Sequence, residues 1–123
     1  MCVRVFQADD AEVMRKAIRR LLSNREDITV VGEAADIRET IQKTAELHPD
    51  LIILDVTMPE KDCIAPTKVK GLLNGAKILA ITLGADEVNE ELLHGVGAAK
   101  LLDKMDLAAQ LVPAILEVAP THN

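Results

Sequence analysis

Aromatic residues are almost missing from this chain: its 123 residues include one Phe and neither Trp nor Tyr. Recognition of single-stranded nucleic acid by base stacking is therefore not expected, because it needs aromatic platforms. A flavin would likewise find little to stack on. Cysteine is scarce too. Cys2 and Cys63 form neither a disulfide framework nor a metal motif. His48, His94 and His122 lie far apart in sequence, which argues against a zinc site. No apolar run approaches the roughly 20 residues that a transmembrane helix needs, so no membrane association is expected. "MCVRVFQADD" lacks the apolar stretch of a signal peptide. A reducing cytoplasm is the expected location.

Basic residues are also in deficit, 14 against 20 acids, for a net charge of -6. An acidic chain is a poor match for a phosphate backbone, so direct nucleic-acid binding is not expected. The 49% hydrophobic content nevertheless supports a folded domain. Its core must be built from Leu, Ile, Val, Ala and Met.

Two kinds of segment alternate. Short aliphatic runs at 3–8, 28–34, 51–54, 77–82 and 98–102 predict strands. The run "LIIL" at 51–54 has no polar alternation, so both of its faces should be buried, as in a parallel sheet covered by helices. Helical spacing appears between these runs. In 11–24 the stripe is Met14, Ala17, Ile18, Leu21 and Leu22; in 37–47 it is Ile37, Ile41 and Ala45. Asp36 and Glu39 form a capping-box pattern. In 65–73, Pro66 suits a first turn, with Val69, Leu72 and Leu73 facing inward. In 87–95, Asp86 is the expected cap and Gly95 the stop. In 106–119, Asp106 should cap a stripe of Ala108, Leu111, Val112, Ile115 and Leu116, and Pro113 should kink the helix. Strand and helix alternating five times imply an α/β domain: a parallel sheet with right-handed crossovers and helices on both faces. The domain is expected over 1–119, with 120–123 as a tail.

In this architecture ligands bind beyond the carboxyl ends of the strands. Asp9 and Asp10 follow the first strand, Asp55 the third, Thr82 the fourth and Lys104 the fifth. They should converge on one sheet edge. Clustered carboxylates repel one another and suit Mg²⁺, a hard cation that prefers oxygen ligands. A carboxylate at the tip of a rigid strand is also a candidate nucleophile toward a phosphoryl group.

The pieces "ADD" (8–10), "LIILDVTMPEKD" (51–62), "ILAIT" (78–82) and "LLDK" (101–104) stand in a definite order and spacing. With them the chain resembles the receiver domains of bacterial two-component response regulators, across residues 3 to 118. The resemblance implies a doubly wound, flavodoxin-like (βα)5 fold with strand order 2-1-3-4-5. It implies Asp55 as phosphoacceptor, with Thr82 and Lys104 contacting the phosphoryl group. Mg²⁺ would sit on Asp9, Asp10, Asp55 and the main-chain carbonyl of Thr57. The phosphoryl donor would be a sensor histidine kinase or phosphotransfer protein. The fourth helix, fifth strand and fifth helix would form the output face, toward an output domain or effector protein or a second copy in a homodimer. Such a domain is not an enzyme beyond its own phosphorylation and dephosphorylation.

Some residues depart from the family pattern. Cys63 stands where Gly is usual, Leu101 where an aromatic switch residue is usual, and Leu83 where a small residue is common. Lys100 and Pro113 alter the presumed output face. These departures keep a second reading open, a pseudo-receiver that binds partners without phosphate. An enzymatic reading draws on "DVT", which superficially resembles aspartate-nucleophile phosphatases. Those generally carry a second acid where Thr57 stands.

Overall fold

A computed structural model describes residues 2–58, 71, 73, 75–84 and 90–120. Five parallel strands form one sheet in the order β2-β1-β3-β4-β5. They are β1 (Val3–Ala8), β2 (Ile28–Ala34), β3 (Leu51–Asp55), β4 (Lys77–Thr82) and β5 (Ala98–Asp103). The helices are α1 (Glu12–Leu22), α2 (Ile37–Leu47), α3 (Glu90–Val96) and α4 (Leu107–Val118). A 3-10 turn over Lys104–Asp106 leads into α4. The helix expected over 65–73 lies outside the described residues except at Gly71 and Leu73, which are not helical, Gly71 standing at φ 84°. The cap at Asp86 and the residues Pro59 and Cys63 lie outside them too. Leu73 is buried as expected.

Alternation along the strands divides the core between the two faces of the sheet. Val3, Val5, Leu51, Ile53, Leu79 and Ile81 pack toward α1 and α4. Phe6, Ala8, Ile52, Leu54, Ile78 and Ala80 pack on the other face, with Ile37 of α2. Every residue of β3 is buried, as its unbroken aliphatic run predicts. Phe6, the lone aromatic, is fully buried. It packs against Gly32, where an added Cβ would lie 3.0 Å from the Phe6 ring and 2.8 Å from Leu47 Cδ1. Gly32 follows an irregularity in the β1–β2 ladder. Val5 pairs with Val30 but Phe6 with Gly32, so Val31 is an extra residue in β2.

Several helix details differ from expectation. In α2 the buried face carries Ile37, Thr40 and Thr44, and Ala45 is exposed. The two hydroxyls donate to the Asp36 and Thr40 carbonyls at 2.7 Å, so threonine can be buried there at little cost. Asp36 caps α2 by accepting from Glu39 N–H at 2.8 Å. The reciprocal half of the box is not made, because Glu39 pairs with Lys43 at 2.9 Å. Helix α3 runs through Gly95 to Val96, and Gly97, at φ 69°, takes the left-handed position that ends it. Asp106 precedes α4 without a side-chain cap bond; Asp103 instead accepts from Met105 N–H at 2.9 Å. Ala17, Ala108 and Leu116 face outward, and Leu107 and Ala114 join the core. Pro113 is exposed and α4 continues through it. Its ring points to solvent, where water can take the carbonyl that proline leaves unpaired. No helix among the described residues is long and apolar enough to cross a membrane.

Candidate functional site

Because the strands run parallel, their carboxyl ends share one edge of the sheet. Asp9 and Asp10 leave β1 there, Asp55 ends β3, Thr82 ends β4, and Lys104 follows β5. Asp9, Asp10 and Asp55 each place a carboxylate oxygen within 4.8 Å of the others. Asp9 and Asp55 are 0% and 1% exposed, whereas Asp10 is open to solvent. Lys104 Nζ reaches in from the turn after β5, 2.8 Å from Asp9 Oδ2 and 3.1 Å from Asp55 Oδ2.

Each side chain is held by local backbone. Asp55 Oδ1 accepts from the Thr57 main-chain N–H at 2.8 Å and from the Thr57 hydroxyl at 2.6 Å. That fixes the plane of the Asp55 carboxylate and leaves Oδ2 toward Lys104. Asp9 Oδ1 accepts from Ala11 N–H at 2.9 Å. Lys104 Nζ meets Asp9 Oδ2, the other carboxylate oxygen, as an ion pair. Thr82 is fully buried, and its hydroxyl donates to the Leu83 carbonyl at 3.2 Å rather than to a carboxylate of the cluster. The Leu83 side chain is 60% exposed. Leu101 is half-buried and packs against the α2-side core. Lys100 is occupied on the surface by Glu117 at 2.6 Å.

Burial raises the Asp9 pKa above its ordinary value, and the neighbouring Asp55 charge adds to the rise. Lys104 and the Ala11 N–H act in the opposite sense without cancelling it. Burial also works against the Lys104 ammonium, but its contacts with Asp9 and Asp55 outweigh that, and its pKa lies above the ordinary lysine value. One ammonium against three carboxylates leaves the cluster net acidic. Oxygen-only donors, two of them on buried residues, in a cluster of net negative charge fit a hard divalent cation.

The structure brings Asp9, Asp10, Asp55, Thr57 and Lys104 together. Thr82 stands beside them with its hydroxyl turned to its own loop. It also adds a group that sequence reasoning overlooks. Arg15 of α1 donates to the main-chain carbonyl of Asp9 and pairs with Glu33 of β2 at 3.3 Å. The available signal is slight: a glutamate and a glutamine, Glu33 and Gln7, set within aliphatic strands.

Comparison with known proteins agrees with this arrangement. Residues 5–116 match the family described as "Response regulator receiver domain". The chain is 38% identical over 99 residues to protein-glutamate methylesterase/protein-glutamine glutaminase 1 of Methanosarcina acetivorans, a match covering 76% of this chain and 28% of that protein. It is 42% identical over 83 residues to response regulator protein VraR of Staphylococcus aureus, covering 67% of this chain and 40% of VraR. The chain thus spans well under half the length of these relatives. Among solved structures, the response regulator domain of Thermotoga maritima CheB superposes with a TM-score of 0.83 at 24% identity, covering 100% of both chains. A LuxR-family two-component response regulator from Aurantimonas sp. SI85-9A1 gives a TM-score of 0.81 at 29% identity, over 96% of this chain and 85% of the other. A chain from the complex of the CheA3 P1 domain with CheY6 of R. sphaeroides gives 0.78 at 25% identity, over 94% and 95%. By its fold, its strand-end acids and a family match spanning nearly its whole length, the chain belongs to the response regulator receiver domains of two-component signalling.

Proposed function

We propose that this receiver domain, taken as residues 1–119 with 120–123 as a tail, accepts a phosphoryl group on Asp55. The donor is the phosphohistidine of a sensor histidine kinase or phosphotransfer protein, and Mg²⁺ is the cofactor. One observation carries the reading: a buried strand-end carboxylate, fixed by Thr57, lies 3.1 Å from a lysine and beside two further acids. In the transfer, an Asp55 carboxylate oxygen attacks phosphorus as the bond from phosphorus to the donor imidazole nitrogen breaks. The electron pair of that bond stays on the imidazole, which takes up a proton. Asp9, Asp10, Asp55 and the Thr57 carbonyl would hold Mg²⁺, which when bound supplies positive charge beside the phosphoryl oxygens. Lys104 already lies at Asp55 and needs only a small shift to pair with the new phosphoryl charge. Thr82 would exchange its bond to the Leu83 carbonyl for one to a phosphoryl oxygen. Such differential contacts are what bias a two-state equilibrium.

The signal would leave through α3, β5 and α4, toward an output domain, an effector protein or a second copy. Leu101 supplies no ring to rotate on β5, so transmission would rest on repacking of aliphatic side chains. The domain itself turns over no external substrate. Its location in the cytoplasm belongs to the same reading. The departures Leu83 and Leu101, and the Thr82 hydroxyl bonded to its own loop, favour a second reading: a pseudo-receiver that binds partners independently of phosphate.

Incubation with Mg²⁺ and a small acyl phosphate separates the two. Phosphorylation predicts a mass gain of one phosphoryl group that disappears in Asp55→Asn. No gain, or a gain that survives the substitution, rejects it. Partner binding that ignores both phosphorylation and Asp55→Asn selects the pseudo-receiver.

A further inference from the structure

We propose that Arg15, braced by Glu33, is a positioning residue that sets the Mg²⁺ affinity of the acid cluster by locking Asp9 in place. The inference rests on the Mg²⁺ site proposed above. β1 ends at Ala8, so the Asp9 carbonyl has left the sheet ladder. Asp9 is fully buried, and a buried carbonyl without a donor is strongly disfavoured. The Arg15 guanidinium supplies that donor. Its Nε lies 3.3 Å from Glu33 Oε1. Arginine suits this role because its planar fork can serve two acceptors at once, which a lysine ammonium on a flexible stem does less well.

Glu33 is itself strongly held. Arg19 contacts both of its carboxylate oxygens at 2.6 Å, and Lys43 of α2 donates to its main-chain carbonyl at 2.9 Å. Gln7, fully buried on β1, donates to the Arg15 carbonyl at 3.0 Å and ties the α1 backbone to the sheet at the same level. Asp9 is therefore gripped at two points: its carbonyl by Arg15 of α1 and its Oδ1 by the N–H of Ala11, the residue that precedes α1. Both grips leave Oδ2 facing the cluster, where Lys104 Nζ lies 2.8 Å away. Loosening Arg15 frees the backbone of Asp9 and spreads the orientation of that oxygen. Partners that orient a metal ligand without touching the metal commonly change affinity by about 10- to 100-fold.

Calorimetric titration of MgCl₂ into the metal-free chain tests this. Arg15→Gln should raise the dissociation constant by about 10-fold. Glu33→Gln should raise it less. Arg15→Lys, which keeps one donor for the Asp9 carbonyl, should fall between wild type and Arg15→Gln. Arg25→Gln breaks a surface pair with Asp27 elsewhere and should leave affinity unchanged. Wild-type affinity in folded Arg15→Gln overturns the proposal. A second measurement needs no metal: hydrogen exchange of the Ala11 amide, which reports its bond to Asp9. Exchange should be faster in Arg15→Gln and Arg15→Lys than in an equally destabilised variant such as Leu22→Ala. Unchanged Ala11 protection also overturns it. If the wild-type chain binds no Mg²⁺, the metal reading fails, and the Ala11 exchange still decides whether Arg15 positions Asp9.

Discussion

Replacing Lys104 by methionine keeps the length and packing of the side chain but removes the cation that two buried carboxylates share. At an effective dielectric of about 20, a unit charge at such short range is worth roughly 5–6 kcal/mol to each carboxylate before desolvation. Without it, Asp9 and Asp55 face each other across no more than 4.8 Å, a repulsion of roughly 3.5 kcal/mol or more on the same basis. The loss has a ceiling, because one carboxylate can escape by binding a proton. From an ordinary carboxylate pKa, that costs about 4 kcal/mol at pH 7. Lys104→Met should therefore lower stability at pH 7 by about 3–4 kcal/mol in metal-free buffer, within the range seen for broken buried ion pairs. With neither Trp nor Tyr, the chain is best followed by far-ultraviolet circular dichroism in urea. Typical slopes convert this loss to a midpoint drop of about 1–4 M. The deficit should shrink as pH falls toward the carboxylate range, where a proton takes the place of lysine. It should shrink again at high pH. Lys104 has a raised pKa, so its stabilisation is present below the ordinary lysine value of 10.5 and is lost as pH rises through the folded value. Added Mg²⁺ should restore part of it. A loss below about 1 kcal/mol at pH 7, or one indifferent to pH, would refute the reasoning.

Asp9→Asn should act in the opposite direction. The folded pKa of Asp9 lies above its ordinary 3.8, so its contribution to stability is present below 3.8 and lost as pH rises through the folded value. In EDTA at pH 7 the variant should unfold at higher urea than wild type, with the advantage gone near pH 3. With saturating Mg²⁺ the order should reverse, because ligand binding stabilises only the chain that can hold the ion. Gly32→Ala should cost about 1–3 kcal/mol by overpacking, since the new Cβ would meet Leu47 at 2.8 Å and the buried Phe6 ring at 3.0 Å. A thermal melt unchanged from wild type would contradict that.

The site was largely legible in the sequence because its residues sit where strands stop. An aliphatic run closing on an acid, as in 51–55, announces both a buried strand and the end that faces a ligand. The strand-end residues then need only a parallel sheet to bring them together. Helix faces were harder to read. Thr40 and Thr44 look polar, yet each hydroxyl is satisfied within its own helix, so periodicity counted on apolar residues alone misses that face. Gly95 looks like a stop, but the left-handed turn falls at Gly97. Arg15 and Glu33 come from separate elements, and nothing local marks their meeting. The resemblance implies that the Thr82 hydroxyl contacts a phosphoryl oxygen. Its bond to Leu83 is a side-chain choice that spacing cannot reveal.

The extra residue at Val31 bears on more than the twist of β2. Below it Val5 faces Val30; above it Gln7 faces Glu33 and Ala8 faces Ala34. Were the ladder regular, Glu33 would stand level with Ala8 and point to the opposite side of the sheet, among Phe6 and Ile37, because a shift of one residue exchanges the two faces. The irregularity therefore works as a phase shifter. It brings a carboxylate onto the α1 side at the height where Arg15 can reach it. Deleting Val31 would remove one aliphatic side chain near the far edge of the sheet. It would leave Gly32, Glu33 and Ala34 opposite Phe6, Gln7 and Ala8 in a regular ladder, so the carboxylate would keep its side of the sheet; the extra residue is what lets the longer strand reach that same register.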